Sequence, residues 1–195
     1  MPLLTADHIA AELARRTRAS LPQNSYRKAC VMVTLVTKEE RLHLLLTKRT
    51  DSVEHHKGQI SFPGGMVDEE DDCESTTALR ELEEEVGVSR SQVRILGMLD
   101  DIHIPTGFIV TPVVGLVDPL PELRTNAAEV ADVLIIPLER FFDPALQRTE
   151  TRVLLGTPRE IHLYDVWKEP VWGATAHIIR QLTSLFPSPP EQPRP

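Results

Sequence analysis

The chain is poor in the features that mark several large protein classes. It has two cysteines in 195 residues, Cys30 and Cys73, and no CxxC pair. That spacing excludes a disulfide scaffold and a zinc ribbon, and predicts reduced thiols in a cytoplasmic setting. No apolar run approaches the ~20 residues of a membrane span, and the N-terminus MPLLTADHIAAELARR lacks the basic-then-apolar order of a secretory leader. Basic residues are outnumbered, 21 Lys and Arg against 29 Asp and Glu, for a net charge of −8. A nucleic-acid backbone wants the opposite sign, so neither nucleic acid nor membrane is expected as a partner. An anionic small molecule stays possible, because a bound metal and local Lys or Arg set the field at a site. No internal repeat is present.

What remains is an ordinary globular composition, 41% hydrophobic and 26% charged, of a size that favours one domain. Cys30–Thr37 and Leu42–Thr47 read as strands joined by a polar turn. Ile60–Phe62 reads as a short strand broken by Pro63-Gly64-Gly65, and Val93–Leu99, Phe108–Val117 and Val130–Ile136 as further strands. Asp100–Gly107 reads as a loop, and weaker strands are expected at Arg152–Leu155 and Glu160–Val166. Helices are predicted at Thr5–Ser20, Cys73–Val86 and Gly173–Phe186, with a short one after Pro137. Mixed strands with helices on both faces predict an α/β/α sandwich. The expected organisation is a helical extension over residues 1–25, a main domain over 26–186, and a disordered proline-rich tail over 187–195.

The chemistry concentrates between Gly64 and Val88. Ala78, Leu79, Leu82 and Val86 recur at helical spacing and form a core stripe. Glu81, Glu84 and Glu85, at i, i+3 and i+4, share the other face. Like charges so placed repel by roughly 0.2–0.5 kcal/mol per pair. They also occupy the last turns before Gly87, where the helix dipole presents its negative end. A divalent cation reverses both terms, so the segment reads as a metal site. Asp71 and Glu74 have the spacing of a capping box. Upstream, Gly64 and Gly65 allow the backbone close to a ligand, and a carbonyl there can serve a hard cation.

Arg80-Glu81-Leu82-Glu83-Glu84-Glu85-Val86-Gly87-Val88 resembles the REUXEEXGU half of the Nudix box, with Gly65 as its opening glycine. Eight residues separate Asp71 from Arg80 where the box has seven, so either the loop carries one extra residue or Asp72 takes the acidic role. Leu45–Gly65, LLTKRTDSVEHHKGQISFPGG, is similar to the motif LLTXR[SA]X3RX3GX3FPGG that precedes the box in coenzyme A pyrophosphatases, with Thr50 and Glu54 as departures. VTPVVG at Val110–Gly115 and VWGATAHII at Val171–Ile179 also look like that subfamily.

The resemblance implies a Mg²⁺- or Mn²⁺-dependent hydrolase of a diphosphate bond, most simply in coenzyme A or an acyl-CoA. ADP-ribose or a nucleotide sugar is the alternative, and a non-catalytic Nudix-like binding module a further one. It implies Glu84 and Glu85 as main metal ligands, Glu81 as a ligand or water-positioning group, Gly65 as a backbone ligand, and Arg80 as the partner of the loop acid. Arg49, Lys57, Gly64 and Gly65 would meet substrate, with Lys48 a further phosphate candidate. Glu129 reads equally as a remote acid of the site and as a solvated strand-start residue. Asp100 and Asp101 are weaker candidates for that acid. His55 and His56 read more readily as solvated than as ligating, and Trp167 and Trp172 more readily as core than as an adenine platform. The family makes a homodimer plausible.

Overall fold

The computed structural model describes residues 4–50, 58–154 and 156–186. Glu54, His55, His56, Lys57, the end of the expected strand at Leu155 and the proline-rich tail lie outside the described residues.

In chain order the elements are α1 (Ala6–Arg15), β1 (Arg27–Lys38), β2 (Arg41–Arg49), β3 (Ile60–Ser61), β4 (Gly64–Met66), α2 (Glu74–Val86) and β5 (Val93–Met98). There follow β6 (Ile102–Ile104), β7 (Phe108–Val117), β8 (Val130–Pro137), β9 (Gln147–Leu154), β10 (Thr157–Tyr164), β11 (Val171–Trp172) and α3 (Gly173–Ser184). The main sheet runs β3-β2-β1-β7-β5, with β8 on β2, β4 on β1 and β6 on β7. β1 and β7 are parallel and the other pairs antiparallel, so the sheet is mixed. A separate three-stranded sheet, β11-β10-β9, follows.

Alternation along the central strands sorts the core into two layers. Val33 and Leu35 of β1, Leu44 and Leu46 of β2 and Val114 of β7 pack with Ile9 and Leu13 of α1 and Ile178, Ile179 and Leu182 of α3. Their neighbours Met32, Val36, Leu45, Val113 and Val117 face the other way, against Ala78, Leu82 and Val86 of α2. The strands are apolar almost without interruption because both faces are covered, and the architecture is the expected α/β/α sandwich.

Several local expectations change. Gly64-Gly65 does not end the sheet: Gly64–Met66 forms β4, whose register places Gly64 opposite Val31 and Gly65 opposite Cys30. A Cβ at Gly64 would fall on the Cys30 carbonyl and the Val31 side chain, so the glycine permits this pairing. The expected loop Asp100–Gly107 contains β6, hydrogen-bonded to β7. The first helix stops at Arg15, and residues 16–21 cross the protein as an extended strap. The capping box at Asp71 is not formed: α2 is capped at Cys73, which makes no side-chain capping bond. Asp71 lies two residues too early to reach the free N–H groups of the first turn. Gly87 closes α2 as expected, at φ 75°, its N–H donating to the Glu83 carbonyl at 2.9 Å.

Candidate active site

The apolar face of α2 fixes its rotation. Ala78, Leu82 and Val86 are fully buried against the sheet, which turns Glu85 toward β2 and β4 and Glu81 toward β4, and leaves Glu84 beside Arg80 and open to solvent. The side chains of Glu81, Glu84 and Glu85 are 14%, 56% and 2% exposed respectively.

Glu85 is the deepest. Its Oε1 accepts the Gly64 N–H at 3.2 Å and its Oε2 the Thr47 hydroxyl, also at 3.2 Å. The Arg49 guanidinium stands 3.9 Å from Oε1. Burial pushes the Glu85 carboxyl up to about 7; the Gly64 N–H and Arg49 pull against this, and Glu81 and Glu129 add to it. Glu81 is also pushed up, by burial first, with Glu84 and Glu129 adding to it and Arg80 opposing. Its carboxylate lies where a Cβ on Gly65 would sit, so Gly65 must be a glycine for Glu81 to approach β4.

Arg80 binds this acidic turn together. Its Nη1 donates to Glu81 Oε1 at 2.7 Å and to Glu84 Oε2 at 3.3 Å. Nη2 and Nε take both oxygens of Asp71, at 2.9 and 3.3 Å, and Nη2 also reaches the Met66 carbonyl at 3.0 Å. This fork-to-fork pair settles the register of the loop: Asp71, not Asp72, partners Arg80, and the box carries one extra residue. Arg80 holds the Asp71 carboxyl down at about 2 and is itself held more firmly charged.

Glu129 joins the cluster through the backbone. The last carbonyls of a helix lack intrahelical partners; here Asn126 N–H donates to the Glu85 carbonyl at 2.9 Å and Arg124 N–H to that of Val86 at 3.0 Å. Asn126 Nδ2 then donates to Glu129 Oε1 at 3.1 Å, and the Thr50 N–H to the Glu129 carbonyl at 2.9 Å. Glu129 is half-buried beside the α2 carboxylates, not a solvated strand-start residue.

Other candidates sit elsewhere. Asp100 and Asp101 are taken by the N-terminal strap, through Arg16 and Arg18. Lys48 alternates with Thr47 and Arg49 on β2, so it points to the opposite face, where its Nζ meets Glu169 at 2.6 Å. Trp167 packs on the core between Lys48 and Lys168, and Trp172 lies under Arg152. Thr47, Gly64 N–H and Asn126 are contacts that the sequence reading did not assign. Thr47 had one signal: a polar residue in register with Leu45 on the α2 side of an apolar strand.

Among the described residues no three His, Cys, Asp or Glu side chains close on one point as a finished metal cage. The donor set nonetheless suits a hard divalent ion. Asp71, Glu81, Glu84, Glu85 and Glu129 all carry carboxylate oxygens, the donor type a hard cation takes; they outnumber the guanidinium groups of Arg49 and Arg80, and a Mg²⁺ ion that keeps several waters needs only a few of them. A surface cavity of about 390 Å³, lined by Met66, Val67, Asp68, Glu69, Arg80 and Glu81, opens beside Glu81. Another of about 340 Å³, between Ser91–Arg94 and Asp118-Pro119, touches no box carboxylate.

The model of the NUDIX domain matches residues 26–155. A protein of Photorhabdus laumondii described as the uncharacterized Nudix hydrolase NudL is 36% identical over 156 residues, 80% of this chain and 83% of that one. Its namesake from Yersinia pestis is 34% identical over 192 residues, 92% and 96% of the two chains. Among solved structures, a MutT/nudix family protein from Enterococcus faecalis aligns with a TM-score of 0.53 at 19% identity, over 91% of this chain and 68% of that one, a likeness of fold alone. With the box, its glycine loop and its acidic helix all inside the matched region, the chain belongs to the Nudix hydrolase family.

Proposed function

We propose that the protein hydrolyses the diphosphate bond of coenzyme A or an acyl-CoA, in a Mg²⁺- or Mn²⁺-dependent reaction, to 3′,5′-ADP and 4′-phosphopantetheine or its acyl derivative. The observation that carries this reading is the convergence on Glu85. Thr47, Arg49 and Gly64, all in the stretch that resembles the coenzyme A pyrophosphatase motif, contact the most buried carboxylate of the Nudix helix. Two stretches recognised separately in the sequence thus meet, which supports reading them as one site.

Glu81, Glu84 and Glu85, with the Gly65 backbone, would hold the divalent ion. When bound, such an ion neutralises diphosphate charge and lowers the pKa of a coordinated water. The remaining work falls to the chain. Arg80 keeps the glycine loop against α2 through Asp71 and Met66. Arg49, 22% exposed, faces Glu85, which supports reading its guanidinium as the contact for a substrate phosphate oxygen. Glu129, fixed by Asn126, supplies the remote acid as ligand or proton acceptor. Lys57 is kept as a phosphate contact on the sequence motif alone.

The test is a substrate panel with and without Mg²⁺, followed by product identification. Coenzyme A should give 3′,5′-ADP only with metal present. Glu54, standing where the motif has Arg, favours the second reading, a hydrolase of ADP-ribose or a nucleotide sugar. Equal rates on coenzyme A and ADP-ribose would overturn the specific assignment in its favour. Binding of these substrates without metal-dependent turnover would identify a non-catalytic module.

A further inference from the structure

The family model begins at residue 26, so it assigns nothing to the strap at residues 16–21. Yet the strap is bound by side chains from deep in the domain. Arg18 Nη2 donates to Asp101 Oδ1 at 2.6 Å and to Thr111 Oγ1 at 3.0 Å. Asp100 and Asp101 accept the N–H groups of Ala19 and Leu21, at 2.8 and 2.9 Å, and Asp101 N–H returns to the Ala19 carbonyl at 3.0 Å. The same Arg18 Nη2 stands 3.6 Å from the carboxylate of Glu74, the first residue of α2.

That last contact is unexpected on electrostatic grounds, because a cation beside the first turn opposes the helix dipole. It has a use because α2 has no side-chain cap at Cys73. The other end of the helix is held by the Arg124 and Asn126 backbone. Glu74 and Glu81 are seven residues apart, so they lie on nearly the same helical line, about 10 Å apart along the axis. Tilting the first turn therefore moves the line along which the acidic face is presented.

We infer that Arg18, acting through Glu74, is a positioning residue: the strap holds the first turn of α2 and so sets the placement of Glu81, Glu84 and Glu85. This rests on the reading of those carboxylates as metal ligands. The strap is thereby part of the catalytic apparatus without touching substrate.

The experiment uses the full chain. Mn²⁺ binding is followed by electron paramagnetic resonance of the free ion, and amide exchange across Glu81–Val86 is measured on the metal-free protein. Variants are Glu74→Gln, Arg18→Met and Arg18→Lys. Glu74→Gln leaves the Arg18–Asp101 pair intact, so it should keep the wild-type unfolding midpoint. It should weaken Mn²⁺ binding roughly two- to fivefold, the range of a part-exposed ion pair, and speed exchange at Glu81–Val86. Arg18→Lys should bind Mn²⁺ near the wild-type level, and Arg18→Met should lose both binding strength and stability. If Glu74→Gln and Arg18→Met bind Mn²⁺ like wild type, with protection unchanged, the strap is only structural and the inference falls. If wild type and Glu84→Gln alike fail to bind Mn²⁺, the metal reading fails instead; unchanged exchange in Glu74→Gln would then still overturn the positioning role by itself.

Discussion

Two part-buried charge networks flank α2, and their balance differs. At the strap, Arg16 and Arg18 meet Asp100, Asp101 and, at 3.6 Å, Glu74, two guanidinium groups for three carboxylates, against two for five at the acidic turn. Burial pushes Asp101 up, but the Leu21 N–H, the Thr111 hydroxyl and Arg18 outweigh it, and the carboxyl titrates below its ordinary range. At the acidic turn, carboxylates outnumber guanidinium groups, and Glu81 and Glu85 are pushed up despite Arg80 and Arg49. A network nearer balance has spent its charge on holding the chain together. One further from balance keeps charge for a group that arrives later, which is why perturbed carboxylates mark the candidate chemistry.

The largest effects should separate the two networks by what they break. Glu84→Gln removes the most exposed of the three acids, at 56%. Hydrolysis should fall by roughly 10²-fold or more, at the upper end of losses at metal sites, while the thermal midpoint stays near wild type; steady-state kinetics beside calorimetry reads both. Asp101→Asn should act mainly on stability, with at most the roughly two- to fivefold loss of metal binding expected when the Arg18–Glu74 contact is loosened. Its side chain is 4% exposed, and the change leaves Arg18 without its nearest charge. Breaking a buried pair costs about 3 kcal/mol at the low end, suitable here because Arg18 is 22% exposed. Urea unfolding measures it. Activity loss without destabilisation at Asp101 would break the comparison.

The same contrast explains what could be read from the sequence. The core stripe Ala78, Leu82, Val86 and the acidic face opposite it follow from helical periodicity, and the long strands from apolar runs. β4 and β6 escaped because three residues carry no period; β4 also holds two glycines, and Pro105 follows β6 directly. The place of Glu129 escaped for another reason: it is set by backbone donors at Arg124 and Asn126, and any residue but proline supplies such a donor. The strap is a third case. Arg18 and Asp101 are 83 residues apart, and neither carries a local mark of the other. Short-range pattern located the acids of the box, whereas the partners that tune them came from the topology.

Next in size is a pH effect with opposite signs at two carboxyls of the acidic turn. The Glu85 carboxyl lies near 7 in the folded metal-free protein against an ordinary 4.5. Between those values the folded state binds the extra proton, so stability falls as pH rises through this window. The full difference is on the order of 3 kcal/mol. Glu85→Gln should flatten that slope while keeping Thr47 and Gly64 as partners, and added Mn²⁺ should flatten it in wild type. Asp71 is the converse: held at about 2 by Arg80, it contributes stability that is complete above its ordinary 3.8 and lost as pH falls toward 2. Chemical unfolding from about pH 2 to about pH 8, without and with metal, would show both limbs.

The smallest expected effect tests whether burial, and not distance, governs these networks. Arg41 donates to Glu139 at 2.8 Å, much as Arg80 meets Asp71 at 2.9 Å. The first pair is 57% and 61% exposed, the second 19% and 3%. Water and salt screen the exposed pair, so a double-mutant cycle on Arg41 and Glu139 should give a coupling of roughly 0.2–1 kcal/mol that fades in ~1 M salt, where the Debye length is about 3 Å. The cycle on Arg80 and Asp71, read by unfolding alone, should give a larger coupling that survives the salt, because both oxygens of a buried carboxylate are engaged by one guanidinium. Equal couplings would mean that distance suffices, and the distinction between a screened surface pair and the shielded acids around α2 would lose its physical basis.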